Sequence, residues 1–314
     1  MKTKSTPLVE WDMSNDKTIL PIAQRLRSLS ATHYHRKVFE DDALREKWVN
    51  DSQVYWRRKV LEKATIVMGQ NYEGVGAEIG TGTGMYTAIL SKIPTVRKIY
   101  AIEYSRECIE NLTPLVFEKM GADTSKIVRI LGSFNKMEFE DGSIDFLFGM
   151  GSLHHSEDLS VTAKECYRVL KPGGWLIASE RAGVNTTSND EIEEALNREW
   201  IQSDIYKRET SGASKDERIT RAMNSEHEPR LCEYEADLAR AGFKVHTFIF
   251  VPFSRRKYPF RFASYLLYSM LGDSLLRKRK STIYHFKVPY YPWFAKKPVL
   301  GDLSIDPLLL MCQK

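Results

Sequence analysis

A glycine-rich run and a later acidic residue are the two features with the clearest chemical meaning. Residues 77–84 carry Gly80, Gly82 and Gly84 directly after a short apolar run, and Glu103 ends a second apolar run nineteen residues past the last glycine. A strand, a glycine turn and a helix N-terminus make the first unit of a nucleotide-binding βαβ fold, and an acid ending the next strand is placed to accept hydrogen bonds from a ribose. The sequence therefore predicts a nucleotide-like ligand at this turn.

The spacing of the glycines discriminates between ligands. A dinucleotide fold requires G-x-G-x-x-G under a pyrophosphate, whereas Met85 stands at the position of that third glycine. Glu78 also places a negative charge near the position that a pyrophosphate would take. A carboxylate instead suits a ligand with a cationic end, so the pattern favours such a ligand over a dinucleotide.

Three motifs in order resemble one family. The run from Glu78 to Gly84 resembles motif I of the class I S-adenosylmethionine-dependent methyltransferases, and Glu103 matches their ribose-binding acid. Residues 143–158 are similar to the family's fourth strand and the loop after it, and residues 165–178 to the helix, turn and fifth strand that follow. The resemblance implies S-adenosylmethionine as the cofactor and methyl transfer as the activity.

The resemblance also implies which residues bind the cofactor. Family members usually carry an aspartate near Ser133 that hydrogen-bonds the adenine amine; here the serine hydroxyl or the Phe134 backbone would serve. No metal site is predicted. The predicted cofactor-binding residues are Glu78, Gly80, Thr81, Gly82, Gly84, Glu103, Tyr104, Ser133, Phe134, Gly149 and Met150.

Histidines supply the candidates for acid–base chemistry. His154 and His155 follow the predicted fourth strand, where the family places the reactive methyl group, so either imidazole is a candidate base for a hydroxyl acceptor. The alternative is that one caps the next helix and the other packs against the cofactor. His227 is the second candidate, and its alternative is an exposed polar turn. Glu180, which ends the fifth strand, is interpreted as an acceptor contact or, preferentially, as the partner of Arg181.

These residues need an α/β scaffold to position them. The predicted fold is a doubly wound, seven-stranded Rossmann-like sheet with its last strand antiparallel, joined to a helical N-terminal extension and cap insertions. The predicted division is a helical extension over 1–70, a cofactor-binding core over 71–253 with a cap insertion at about 183–235, a basic–aromatic insertion over 254–304, and the last core strand over 305–314.

Composition narrows the class of protein. The chain has 314 residues, of which 42% are hydrophobic and 28% charged, which is typical of a folded domain rather than a disordered chain. No apolar run approaches the roughly 20 residues that span a bilayer, and the start lacks the apolar segment of a secretory signal. Four scattered cysteines predict reduced thiols. The expected location is the cytoplasm, or the inner face of the membrane if the chain docks there.

A basic–aromatic segment departs from the rest of the chain. Residues 254–297 hold eleven Lys/Arg and eleven aromatic residues against one acid, Asp273. Packing into a core or a dimer contact is the preferred interpretation. The alternatives are a peripheral membrane contact, which would suit a lipid-linked glycan acceptor, and a nucleic-acid surface. The oligomeric state is not predicted.

The sequence leads to one function with stated alternatives. We expect an O-methyltransferase acting on a hydroxyl of a sugar or another small metabolite. The alternatives are an N-methyltransferase of an amine-bearing metabolite, a nucleic-acid methyltransferase, and a cofactor-binding scaffold without catalysis. Residues 149–152, which read Gly-Met-Gly-Ser, replace the Asn/Asp-Pro-Pro-Tyr/Phe loop that many base N-methylating enzymes show, so nucleic acid is the less favoured acceptor.

Overall fold

The structure is a computed structural model that describes residues 6–14, 21–50, 52–183, 185, 187–198, 220–249 and 304–314. The strands are β1 Leu8–Glu10, β2 Gly74–Ile79, β3 Val96–Glu103, β4 Ile127–Leu131, β5 Ile144–Met150, β6 Leu170–Gly183, β7 Lys244–Ile249 and β8 Ser304–Gln313. The α-helices are α1 Pro21–Ser30, α2 Arg36–Glu40, α3 Asp42–Val49, α4 Ser52–Met68, α5 Met85–Ser91, α6 Thr113–Lys119, α7 Leu159–Val169, α8 Asn189–Asn197 and α9 Leu231–Arg240. Short π-helical turns cover Ala31–His35 and Cys108–Leu112, and 3-10 turns cover Thr124–Lys126, Leu153–His155 and Ala222–Asn224.

The strands of the described residues form one sheet in the order β1-β4-β3-β2-β5-β6-β8-β7. All neighbours up to β6 run parallel, and β8 enters antiparallel between β6 and β7. The order reverses beside β2, which is the switch point of a doubly wound sheet. The predicted fold class and the antiparallel last strand are confirmed.

The sheet has one strand more than the predicted seven. Leu8–Glu10 pairs in parallel with β4, and the guanidinium of Arg106 donates to both carboxylate oxygens of Glu10, at 2.9 and 2.7 Å. The helical extension predicted over residues 1–70 therefore begins with a strand that the sequence analysis did not predict. The strand has only three residues, and the adjacent residues Val9 and Glu10 are both exposed, so its sequence shows no alternation that would predict a strand.

Apolar side chains cover both faces of the sheet. One buried cluster joins inward-facing residues of β2, β5 and β6 to α7 and α9, and the other joins the opposite face to α5, α6 and the N-terminal helices. Because successive residues of a strand face opposite sides, the buried parallel strands need apolar residues at nearly every position. Both layers hold the carboxyl ends of β2, β3, β5 and β6 at one edge, where ligands of such sheets bind.

Two predicted segments lie wholly or partly outside the described residues. The basic–aromatic segment 254–297 is outside them, and so is the middle of the predicted cap insertion, 199–219. Within the cap, the structure describes α8, a turn at Ala222–Asn224 and the approach to α9. Among the described helices, none combines the length and apolar character needed to cross a bilayer.

Candidate active site

The glycine turn follows β2 and leads into α5. Gly80, Gly82 and Gly84 have φ values of 64°, 57° and 83°, which side chains with a Cβ rarely adopt. A Cβ at Gly80 would lie 2.8 Å from the Cβ of Ser152, and one at Gly84 would lie 2.8 Å from the Phe117 ring. The glycines are therefore required both by backbone conformation and by close approach.

Glu103 is fixed at the carboxyl end of β3, beside this turn. Its Oε2 accepts a hydrogen bond from the Gly82 amide at 2.7 Å, and its Oε1 accepts one from the Ser105 amide at 3.1 Å. The residue is 1% exposed. A carboxylate offers about four lone-pair positions, so two amides orient the group and leave capacity for hydroxyl donors. Tyr104 follows, and burial raises the pKa of its phenol.

Glu78, the acid at the start of the motif, is buried under α5. Its Oε2 accepts from the backbone amide and the hydroxyl of Thr87, at 2.7 and 2.5 Å. Burial raises the pKa of the Glu78 carboxyl to about 8, against the hydrogen bonds from Thr87. The carboxyl thus links β2 to the first turns of α5, and a cation near it would favour its ionised form.

The loops after β4 and β5 complete the edge of the cleft. The Ser133 hydroxyl accepts from the Asn135 amide at 3.2 Å, and Phe134 is 7% exposed. A Cβ at Gly149 would lie 2.4 Å from the Ser152 hydroxyl oxygen. That oxygen is buried and has no hydrogen-bond partner in the described structure. A turn that excludes Cβ atoms, a pre-oriented carboxylate and an orphaned hydroxyl are the features expected of a site for a polar, ribose-bearing ligand.

His154 and Glu180 form a buried pair at the carboxyl ends of β5 and β6. Nδ1 of His154 lies 2.8 Å from Oε2 of Glu180, while Oε1 of Glu180 accepts from the amides of Ser152 and Leu153 at 2.8 and 2.7 Å. Since a carboxylate only accepts, Nδ1 carries a hydrogen, and in the neutral imidazole Nε2 then has the lone pair. Glu180 therefore fixes the orientation of the imidazole. The expected Glu180–Arg181 pair is wrong, because adjacent strand residues face opposite sides and Arg181 pairs with Glu226.

His155 stacks on His154 but has a different environment. The ring centroids are 4.3 Å apart, and Nδ1 of His155 lies 2.9 Å from the carbonyl oxygen of Ser225. Burial, and secondarily the neighbouring His154, hold the pKa of His155 well below its usual range. His155 thus stays neutral, and its Nδ1 contacts a carbonyl oxygen where Nδ1 of His154 contacts a carboxylate.

The third candidate, His227, is joined to His154 by a backbone hydrogen bond. The amide of His227 donates to the carbonyl oxygen of His154 at 2.8 Å. Its Nε2 is 3.1 Å from Oε2 of Glu157 but without hydrogen-bonding geometry. The structure therefore brings all three predicted histidines to one edge of the sheet, with the His227 ring directed at Glu157 instead of at Glu180.

Two buried glutamates near the histidines form ion pairs with two arginines, and the sequence analysis did not predict this charged cluster. Oε2 of Glu226 lies 2.6 Å from Arg181 and 3.0 Å from Arg221, and Glu228 pairs with the same two arginines. Burial opposes ionisation of Glu226, but the charge of Arg181 overcomes it and holds the pKa of Glu226 below its usual range. The charged residues of 221–230 were the one sequence signal for this cluster, because Arg181 lies far from them along the chain.

Comparison with known proteins agrees with this geometry. Residues 77–178 match the family model described as a methyltransferase domain. A demethylmenaquinone methyltransferase of Staphylococcus aureus is 29% identical over 127 residues, which are 40% of this chain and 48% of the relative. The chain therefore spans about half the length of the curated relatives it matches.

Solved structures share the fold. Phosphoethanolamine N-methyltransferase 2 of Haemonchus contortus, solved with S-adenosyl-L-methionine, has a TM-score of 0.54 and 15% identity, covering 94% of this chain and 60% of that one. The YcgJ protein of Bacillus subtilis has a TM-score of 0.50 and 17% identity, covering 82% and 97%. At such identities the likeness is one of fold.

The sheet order, the glycine turn and the matched domain together define a Rossmann-like methyltransferase fold. The domain match over residues 77–178 and the shared fold support the class I S-adenosylmethionine-dependent methyltransferase family, whose cofactor is S-adenosylmethionine. The residues present fit that cofactor, since the Glu103 carboxylate keeps lone pairs for hydroxyl donors and the glycines of the turn carry no side chains.

Proposed function

We propose that the chain is an S-adenosylmethionine-dependent O-methyltransferase acting on a hydroxyl of a sugar or another small metabolite. The observation that carries the proposal is the His154–Glu180 pair, with Nδ1 held at 2.8 Å and Nε2 left as a base at the edge of the cofactor cleft. An alcohol must lose its proton as it attacks a methyl group, so a positioned base is what a hydroxyl acceptor requires. The similarity to a demethylmenaquinone methyltransferase supports a small-molecule acceptor.

The cofactor would be held by the predicted residues. Glu103 would accept the ribose hydroxyls, and the turn over 80–84 would lie against the methionine portion. Ser133 and Phe134 would flank the adenine, with Gly149 and Met150 beneath the reacting end. S-adenosylmethionine supplies an electrophilic methyl group on a sulfonium when it is bound. The chain's main contribution is to hold the acceptor in line with that group, which is worth roughly 7–11 kcal/mol in favourable cases.

His154 would remove the hydroxyl proton in this proposal. Nε2 accepts the proton, and the imidazolium that forms is stabilised by the Glu180 carboxylate on its other side. Glu180 is itself kept in place by the amides of Ser152 and Leu153, so it acts as a positioning residue. A base of this kind contributes about 10²–10⁴-fold to the rate.

The other two histidines are weaker candidates on physical grounds. His155 stays neutral because burial opposes its charge, and its Nδ1 contacts a carbonyl oxygen that carries no full charge. His227 faces Glu157, a residue whose side chain is 53% exposed, at the outer side of the cluster. We assign His155 to packing against His154 and His227 to joining the 220–230 segment to it through its backbone.

The test uses purified protein, methyl-labelled S-adenosylmethionine and fractionated small-molecule extract. We expect label in a small molecule, and mass spectrometry with fragmentation should locate the new methyl on oxygen. Methyl on nitrogen would replace the proposal with N-methylation of an amine-bearing metabolite. Label recovered with added oligonucleotides and absent from small molecules would favour the nucleic-acid alternative. No transfer to either, despite cofactor binding, would favour a binding scaffold.

A further inference from the structure

An arginine from outside the predicted site lies on the glycine turn. Nη2 of Arg27, on α1, is 3.8 Å from Oε2 of Glu103. A Cβ placed on Gly82 would lie 2.6 Å from the same Nη2 atom, so the guanidinium rests directly on the Gly82 backbone. Burial disfavours the charged guanidinium, but the Glu103 carboxylate overcomes this and raises the pKa of Arg27.

This position conflicts with a bound cofactor. A ribose that donates to Glu103 needs the side of the carboxylate that the Gly82 and Ser105 amides leave open, and Arg27 approaches that same carboxylate. The glycine turn admits a ligand because Gly82 has no side chain, yet the guanidinium fills that space. A cofactor that occupies this space would therefore displace the Arg27 guanidinium.

The surroundings favour one destination for the displaced charge. S-adenosylmethionine carries a carboxylate at its amino-acid end, which needs a cation or amide donors when it is buried. Burial, and then the charge of Arg27, lower the pKa of His35 to about 3, and His155 is likewise neutral, so neither offers a positive charge. Arg181 and Arg221 already bind Glu226. Of these described residues, Arg27 is then the cation at the turn that a bound ribose would displace from its carboxylate partner, Glu103.

We propose that Arg27 changes partner on cofactor binding, from the Glu103 carboxylate to the carboxylate of S-adenosylmethionine. In the cofactor-free chain it would neutralise the buried Glu103 and hold α1 over the cleft. In the complex the ribose hydroxyls would replace it at Glu103, and the guanidinium would bind the amino-acid end. The inference rests on the cofactor assignment and extends it to a residue outside the matched domain, residues 77–178.

The experiment compares two ligands by isothermal titration calorimetry. S-adenosylhomocysteine retains the carboxylate, and 5′-methylthioadenosine has the ribose and adenine without the amino-acid end. For Arg27→Met we expect methylthioadenosine to bind several-fold more tightly than to the wild type, since Glu103 is freed. We expect the preference for S-adenosylhomocysteine over methylthioadenosine to fall about 10-fold or more, which matches the loss of one charge-assisted hydrogen bond.

Two variants provide the controls. Arg25→Met removes an exposed arginine from the same helix and should leave both affinities within twofold of the wild type. Arg27→Lys keeps the charge and should retain most of the preference; it also serves if Arg27→Met does not fold by circular dichroism. If Arg27→Met or the uncharged Arg27→Gln keeps the wild-type preference for S-adenosylhomocysteine over methylthioadenosine, the inference about Arg27 is overturned and the cofactor assignment stands. Failure of the wild type to bind either ligand would overturn the cofactor assignment and the inference together.

Discussion

Glu180 binds His154 through one carboxylate oxygen and the backbone after β5 through the other. The 2.8 Å contact with Nδ1 and the two amide hydrogen bonds fix the carboxylate, the imidazole and the loop 152–154 as a unit. Because Glu180 is 2% exposed and His154 is 8% exposed, water competes little for this contact. The pair thus presents Nε2 in one orientation, as a positioned base requires.

Glu103 should decide cofactor affinity. Ribose hydroxyls donating to its carboxylate form charge-assisted bonds, each worth about 1.5–3 kcal/mol, so Glu103→Ala should weaken S-adenosylhomocysteine binding at least tenfold. Glu118→Ala, at an exposed position on α6, is the matched control and should bind as the wild type does. Calorimetry gives the affinities and a thermal melt confirms folding. Unchanged affinity in folded Glu103→Ala would remove this assignment.

Most of the fold could be predicted because its signals are local. Each signal is contained in a few consecutive residues: the apolar runs of β2 to β6, the glycine turn, and Pro172 just after α7. β1 was missed since it is three residues long and acquires its identity only by pairing with β4. The antiparallel orientation of the last strand followed from the family resemblance and is confirmed.

The site was less predictable than the fold. The glycine turn and the histidines can be identified from their residue types. Arg27, in contrast, contacts Glu103 across 76 positions of the chain and lies in no recognisable motif. Glu180 was assigned to Arg181 because the two are adjacent, whereas strand geometry sends them to different partners. Contacts of this kind depend on packing between distant segments.

Glu78 should make stability depend on pH in the cofactor-free chain. Its pKa rises from 4.5 to about 8 on folding because of burial, so between these values the folded chain holds a proton that the unfolded chain has released. Stability therefore falls as pH rises through this window, by about 1.4 kcal/mol for each pH unit in which the proton difference is complete. Glu78→Gln, which mimics the protonated group, should flatten this dependence.

Thermal or urea unfolding from pH 5 to pH 8 measures the Glu78 effect. We expect the variant to gain stability relative to the wild type as the pH rises. Glu118→Gln removes the same charge at an exposed site and should follow the wild-type curve. Parallel curves for Glu78→Gln and the wild type would contradict the buried, protonated carboxyl.

The basic–aromatic segment 254–297 gives a separate prediction about partners. If it docks on membranes, which is the alternative to packing that its eleven cations and eleven aromatic residues suggest, the protein should sediment with anionic vesicles and be released by high salt. Replacing residues 277–280, which read Arg-Lys-Arg-Lys, by glutamine should weaken binding, since each cation adds up to about 1 kcal/mol. Neutral vesicles are the control. No binding to anionic vesicles at low salt would leave packing as the interpretation, and binding to oligonucleotides would favour nucleic acid.

The most direct test of the proposed reaction is the rate of methyl transfer against pH, with the acceptor identified by labelling. For the wild type we predict a rate that rises as the base loses its proton. His154→Ala should be slower by about 10²-fold or more, with S-adenosylhomocysteine binding unchanged. Glu180→Gln should lose less and shift the rising limb to lower pH, because the imidazolium loses its counter-charge. His246→Gln on β7 is the control. Near-wild-type, pH-independent transfer by folded His154→Ala would contradict the account.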